Sequence, residues 1–276
     1  MNGLLFRASE LMDQLSRIPA TTTVPLWFDA KGRQLRVEEA IYHKDHLELV
    51  MNHKITGLVL PHPIIFKAGE DWAMVERIDG KRLVLRADGY PKYRVKPGDS
   101  VHFRDMRMAI DGPLFTDDEK SKIEMVVKAG AKRFYLSYVE QPRDVEEFRE
   151  LIGNSAELIL KIESKRGLRF VSMLPSPDLK GFRLACARGD LYVEVDQPHQ
   201  IIEAQRLIIE RDPNAMVGSR MLLSLFANNV PSCSDINELA LLKSMGYRNF
   251  LLCDDLCKKG SALHRAVDTF TALSKT

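Results

Sequence analysis

No sign of charge dominates this chain. Across 276 residues, 40 Lys and Arg stand against 38 Asp and Glu. That balance leaves no electrostatic footprint for nucleic acid or an acidic surface. No apolar run approaches the ~20 residues that cross a bilayer, and Met1 to Ser9 is too short and too mixed for a signal sequence. Cysteine is scarce. Of Cys186, Cys233, Cys253 and Cys257, only the last two are close, and no further zinc ligands lie near them. All four read as free thiols of a cytoplasmic protein, with Cys186 a small core residue inside a strand. The histidines (His43, His46, His53, His62, His102, His199 and His264) show no metal-ligand spacing and receive no role. There is no repeat, low-complexity tract or proline-rich linker. What remains is the composition of a soluble globular protein, 45% hydrophobic and 28% charged. The length suits one large α/β domain with a small one inserted.

The chain changes texture twice. Leu11, Met12 and Leu15 fall at helical spacing behind Ser9, a candidate N-cap. Thr21 to Phe28 then reads as a buried strand ending at Asp29. From Glu38 to about Arg104 short strand-like runs follow one another: 46–50, 58–60, 64–66, 73–78, 83–86, 93–95 and 101–103. Asp79-Gly80 and Pro97-Gly98-Asp99 punctuate them as hairpin turns. From Asp117 onward strands near 133–139, 157–162, 182–187, 215–219 and 248–253 alternate with helices. Thr116 is a plausible cap for the first helix, and Gly130 and Gly246 are stops. Strict alternation predicts a parallel sheet, either a barrel or doubly wound. The division expected is 1–37, an N-terminal helix and first barrel strand; 38–105, an inserted antiparallel β domain; and 106–276, the rest of the barrel.

The chemistry gathers between Leu158 and Glu194. Leu158-Ile159-Leu160-Lys161-Ile162-Glu163 is a strand-length run ending in charge, and so is Leu184-Ala185-Cys186-Ala187-Arg188-Gly189-Asp190. In parallel sheets the strand carboxyl ends carry the chemistry. Lys161 and Glu163 are two apart and share a side of the strand. Carboxylates from neighbouring strand ends, Glu163 and Asp190, make a hard oxygen pair suited to Mg²⁺ or Mn²⁺. Arg188-Gly189-Asp190 opens a short helical turn whose N–H groups suit a carboxylate or phosphate, with Gly189 permitting close approach. Solvated strand-end ion pairs are the competing reading of all three charges.

These residues resemble the pyruvate kinase family. The family's Lys-Ile-Glu, Ala-Arg-Gly-Asp-Leu-Gly-x-Glu and Met-Leu segments are similar to Lys161-Ile162-Glu163, Ala187 to Glu194 and Met221-Leu222. Phe134 to Val139, Pro113 to Glu119 and Phe28 to Arg36 are similar to further family segments in the same order, so the resemblance covers roughly 24–270. It implies a pyruvate-kinase-like (β/α) barrel with a small antiparallel β domain inserted after its third strand. It implies Glu163 and Asp190 as metal ligands, Lys161 and Ser219 as catalytic, and Arg188, Gly189 and Asp190 around the substrate. Ser219 stands where the family has a threonine, and Arg220 where it has glutamine.

The departures shape the expected function. Six strands are visible of eight, so the barrel is incomplete, or completed by the N-terminal segment or by a partner chain. No Arg-x-Asn-x-Ser precedes Thr23, Ala30 replaces a cation-site threonine, and Arg107-Met108-Ala109-Ile110 matches poorly with the family's Lys-Gly-Val-Asn. The expected protein is a Mg²⁺- or Mn²⁺-dependent enzyme on phosphoenolpyruvate, pyruvate or a related 2-oxo acid, stabilising its enolate but making little ATP from ADP. The alternatives are a lyase or aldolase at a carbon–carbon bond beside a pyruvate enolate, and a non-catalytic remnant binding a metabolite or partner. Residues 1–20 are expected to cover the open edge at Val24 to Phe28, with a homo-oligomer or partner subunit there.

Overall fold

The computed structural model describes residues 24–86, 90–175, 179 and 181–275. Strand β1 (Phe28–Ala30) opens a parallel sheet. The chain then leaves it for an antiparallel region made of β2 (Val37–Tyr42), β3 (His46–Met51), β4 (Lys54–Thr56), β5 (His62–Phe66), β6 (Asp71–Asp79), β7 (Arg82–Arg86), β8 (Val101–His102) and β9 (Ala109–Asp111). Strand–helix alternation follows in α1 (Asp117–Lys128), β10 (Arg133–Leu136), α2 (Pro142–Ile152), β11 (Glu157–Ile162), α3 (Lys165–Met173) and β12 (Arg183–Ala187). It continues through α4 (Arg188–Glu194), α5 (Gln200–Arg211), β13 (Met216–Gly218), α6 (Cys233–Ser244), β14 (Asn249–Leu251), α7 (Asp254–Lys258) and α8 (Gly260–Leu273).

The parallel sheet runs β1-β10-β11-β12-β13-β14, with every neighbouring pair parallel. Sequential order is that of a (β/α) barrel. Among the described residues it stays open, with β1 and β14 as its edges. Strand β11 is buried at Leu158, Ile159, Leu160 and Ile162, as a strand covered on both faces must be. The helices start where their caps dictate. The Thr116 side chain accepts from the Glu119 N–H while the Glu119 carboxylate accepts from the Thr116 N–H, and Ser232 and Asp235 repeat the exchange at α6.

The second sheet runs β2-β3-β7-β6-β5-β8, and β4 pairs with β9 in a separate ribbon. Strand β3 alternates half-buried and buried residues, so Leu47, Leu49 and Met51 enter a core of their own with Ile64, Phe66, Leu83 and Leu85. The parallel sheet and its helices enclose a separate and larger apolar cluster.

Three sequence expectations are corrected here. Among the described residues the first strand is Phe28–Ala30, residues 24–27 before it are not strand, and Val24 and Leu26 are exposed; Thr21 to Thr23 lie outside the described residues. Residues 58–60 and 93–95 are not strands. Pro61, Pro91 and Pro97 flank them and cannot donate to a ladder, and the Val95 N–H instead donates to the Tyr42 hydroxyl at 2.7 Å. The last strand, expected near 248–253, is only Asn249–Leu251, and Asp254 and Asp255 open α7 beyond it. The expected N-terminal helix and its cover of the sheet edge lie outside the described residues.

Candidate functional site

The carboxyl ends of β1, β10, β11, β12 and β13 converge on one cavity of about 640 Å³, within the range of small-molecule sites. Asp29, Lys31, Lys161, Glu163, Gly189, Asp190 and Ser219 all line it. Glu163 follows β11 directly, so it and Lys161 share a side, and Lys161 Nζ lies 3.2 Å from Glu163 Oε1. The same ammonium donates to Ser137 Oγ at 2.9 Å and lies 3.5 Å from Asp29 Oδ2. Ser137 Oγ donates to Asp29 Oδ1 at 3.1 Å, and Lys31 Nζ to Asp29 Oδ2 at 3.0 Å. Three adjacent strands thus contribute to one buried polar cluster. The turn after β1 requires Gly32, which sits at φ +54 where a Cβ would lie 2.4 Å from the Ser137 carbonyl oxygen.

Burial by itself would lower the Lys161 ammonium, but the carboxylates of Glu163, Asp29 and Asp190 outweigh it and hold it above the usual lysine range. It stays a cation. Burial tends to raise Asp29, and the charges of Lys161 and Lys31 bring it net below the ordinary carboxylate value. Glu163 is pushed up, first by burial and also by the Asp190 charge, with Lys161 opposing. Its Oε2 accepts from the Tyr138 N–H at 2.8 Å. Tyr138 is held at φ 52, a left-handed conformation that a large side chain rarely adopts.

Asp190 lies in the first turn of α4 rather than on a strand. Its Oδ2 accepts from Gln34 Nε2 at 3.1 Å, and its Oδ1 lies 3.6 Å from His102 Nε2. The Gly189 N–H donates to Ser219 Oγ at 2.7 Å, and a Cβ at Gly189 would stand 2.9 Å from that oxygen. Ser219 and Arg220 are both left-handed, at φ 59 and 54, which turns the end of β13 toward the cavity.

Lys161, Glu163, Gly189, Asp190 and Ser219 are therefore together, as the sequence placed them. Arg188 is the correction. Its guanidinium donates to the Ser219 carbonyl at 3.2 and 2.7 Å and pairs with Glu238 Oε1 at 2.6 Å. It fixes the backbone behind Ser219 and does not line the cavity. Cys186 is a buried strand residue whose thiol burial pushes up to about 12.

Sequence reasoning missed Asp29, Lys31, Gln34, Tyr138 and His102. The first three lie in the segment Phe28 to Arg36 that carries part of the resemblance. The signal for His102 was a polar residue between Val101 and Phe103 in a strand-like run, with both neighbours buried.

Glu163 and Asp190 offer the cavity hard oxygen donors of the kind a dication takes. Two carboxylates on one cavity repel each other, and Glu163 is almost fully buried. A shared cation relieves both costs. Among the described residues a compact cluster of three metal-type donors occurs elsewhere, at His43, His46 and Glu48. Its two imidazoles are stacked 4.2 Å apart with planes 9° from parallel. In-plane lone pairs of parallel rings do not meet at one ion, so this arrangement is not a chelate as it stands.

A family model described as pyruvate kinase, barrel domain, matches residues 96–242. The chain belongs to the pyruvate kinase family. It is 25% identical over 231 residues to the pyruvate kinase of Methanocaldococcus jannaschii, covering 77% of this chain and 49% of that one. It is 28% identical over 193 residues to that of Methylorubrum extorquens, covering 66% and 39%. It is 25% identical over 254 residues to that of Agrobacterium vitis, covering 79% and 50%. The chain spans half or less of the length of these curated relatives. No helix among the described residues is long and apolar enough to cross a membrane.

Proposed function

We propose that this pyruvate kinase family chain is a divalent-metal-dependent enzyme that binds phosphoenolpyruvate, pyruvate or a related 2-oxo acid and stabilises its enolate. The observation that carries the reading is the convergence of Lys161, Glu163, Asp190 and Ser219 on one cavity at the strand carboxyl ends. Glu163 and Asp190 would hold Mg²⁺ or Mn²⁺, which when bound supplies Lewis-acid stabilisation of oxyanionic charge.

The chain's own groups do the rest. Lys161, held protonated, is a fixed positive charge for the oxygen on which negative charge develops, and not a general base. The Ser219 hydroxyl accepts from the Gly189 N–H, which leaves its own proton to donate into the cavity. Lys31 adds a second cation beside Asp29. ATP formation from phosphoenolpyruvate and ADP is expected to be weak. Ala30 is fully buried and offers no hydroxyl where the family resemblance places a cation-site threonine. Phosphoryl transfer depends on positioning and charge stabilisation, so that loss is felt directly. The matched relatives named above are pyruvate kinases, which favours this reading over a carbon–carbon lyase.

The test is exchange of the pyruvate methyl protons in D₂O, followed by proton NMR with and without Mn²⁺. Exchange should require metal and fall at least 100-fold in Glu163→Gln, Asp190→Asn and Lys161→Met, in line with loss of charge stabilisation of about 3 kcal/mol. Metal-independent exchange, or none in the wild type, would sink the proposal.

A further inference from the structure

The antiparallel region reaches Asp190 from two sides. On one side Gln34 Nε2 donates to Asp190 Oδ2 at 3.1 Å, and Gln34 is itself fixed by Arg36 Nη2, which donates to its Oε1 at 2.5 Å. On the other side is the imidazole of His102, only 1% exposed. Its Nδ1 lies 3.0 Å from Glu194 Oε1 and 3.0 Å from the Tyr138 hydroxyl. A carboxylate only accepts, so Nδ1 carries a proton toward Glu194, and Nε2, which faces a second carboxylate, carries one as well. The bond to Glu194 fixes the ring and aims Nε2 at Asp190 Oδ1, 3.6 Å away, an ion-pair distance rather than a hydrogen bond. Nε2 is buried and has no hydrogen-bond partner. Glu194 and Asp190 lie on α4, one turn apart, while His102 ends β8 of the antiparallel sheet and Gln34 precedes β2.

We infer that His102 is a positioning residue which, with Gln34, holds the Asp190 carboxylate in the orientation that lines the cavity with Glu163. An unrestrained aspartate samples several rotamers, and a cation has to select one of them. The Gln34 hydrogen bond at Oδ2 and the imidazolium charge near Oδ1 narrow that selection. Groups that orient a metal-holding side chain are typically worth about 10- to 100-fold in metal affinity. An opposing effect has the opposite sign: a cationic imidazole beside Asp190 repels a dication. The inference is that orientation outweighs repulsion. It rests on the reading of Asp190 as a metal-holding residue, and the experiment separates the two.

Mn²⁺ binding is titrated by electron paramagnetic resonance on the full chain, with melting curves as the fold control. The variants are Asp190→Asn, Gln34→Leu, His102→Leu and His102→Gln. Wild type should bind Mn²⁺ and Asp190→Asn should not. His102→Leu should weaken binding at least 10-fold, and His102→Gln, which keeps an N–H donor in a similar volume, should recover most of it. Gln34→Leu should weaken binding as well. If His102→Leu does not melt cooperatively, Gln34→Leu decides by the same 10-fold threshold, and His102→Gln has to bind within 10-fold of wild type. Unchanged or tighter binding in the Leu variants overturns the inference, as does a lowered melting temperature with unaltered affinity. Wild-type binding that does not depend on Asp190 overturns the reading of the site and this inference with it.

Discussion

A buried histidine contributes to how this fold responds to acid. His53 is 3% exposed, and its Nε2 has no hydrogen-bond partner. Burial first, then the charges of Arg33 and Lys81, push its imidazole down from 6.5 to about 4. The folded protein therefore binds fewer protons there than the unfolded chain does between those pH values. The stability this group contributes is intact above about pH 6.5 and is lost as pH falls toward 4. Over that span it amounts to about 3 kcal/mol. His53→Gln should flatten the acid limb of stability between those limits, read from urea midpoints at successive pH values. An unaltered acid limb would refute the assignment. At this scale the chain was partly legible. Lys161 and Glu163 were readable because residues two apart on a strand share a side. Gln34 was not, because its partner Asp190 is 156 positions away and only the folded backbone brings them together. Arg188 misled for a related reason: its neighbours in sequence face the cavity, but its own length carries it behind Ser219 to Glu238.

Elements were more legible than their contacts. Helix α1 begins at the Thr116 cap expected from the sequence, and α6 begins at Ser232 by the same kind of local bond between residues three apart. Strands β2, β4 and β9 were invisible, since they are short or mixed and are specified by pairing across the fold. Helix α3 shows what close packing demands. Its Gly167 N–H donates to Ser164 Oγ, and a Cβ there would stand 2.8 Å from the Val139 carbonyl oxygen and 3.2 Å from Ile162 Cγ2. Both neighbours belong to the frame that carries Glu163. Gly167→Ala should lower stability by about 1–3 kcal/mol, measured by urea denaturation, and should loosen Mn²⁺ binding at the same time. A variant with a wild-type urea midpoint would show that the helix shifts without cost.

At the scale of the whole molecule, the sequence showed six parallel strands and an inserted antiparallel region, and both are present. It did not show how the two are joined. Each has its own apolar cluster. The ties between them include polar contacts: Gln34 with Asp190, His102 with Glu194, Arg33 with Asp144, Arg104 with the Val193 carbonyl and Arg166 with the Met108 carbonyl. Such bonds are worth about 1 kcal/mol each, far less than a continuous core. Two of them end at or beside the carboxylate assigned to the metal. Ligand occupancy and melting cooperativity are then expected to be linked. In scanning calorimetry the double variant Gln34→Leu/His102→Leu should split a single endotherm into two, and a single peak in that variant would refute the coupling. In the wild type Mn²⁺ should sharpen the transition as well as shift it upward, because an ion on Asp190 fastens the bolt that keeps the two cores melting as one.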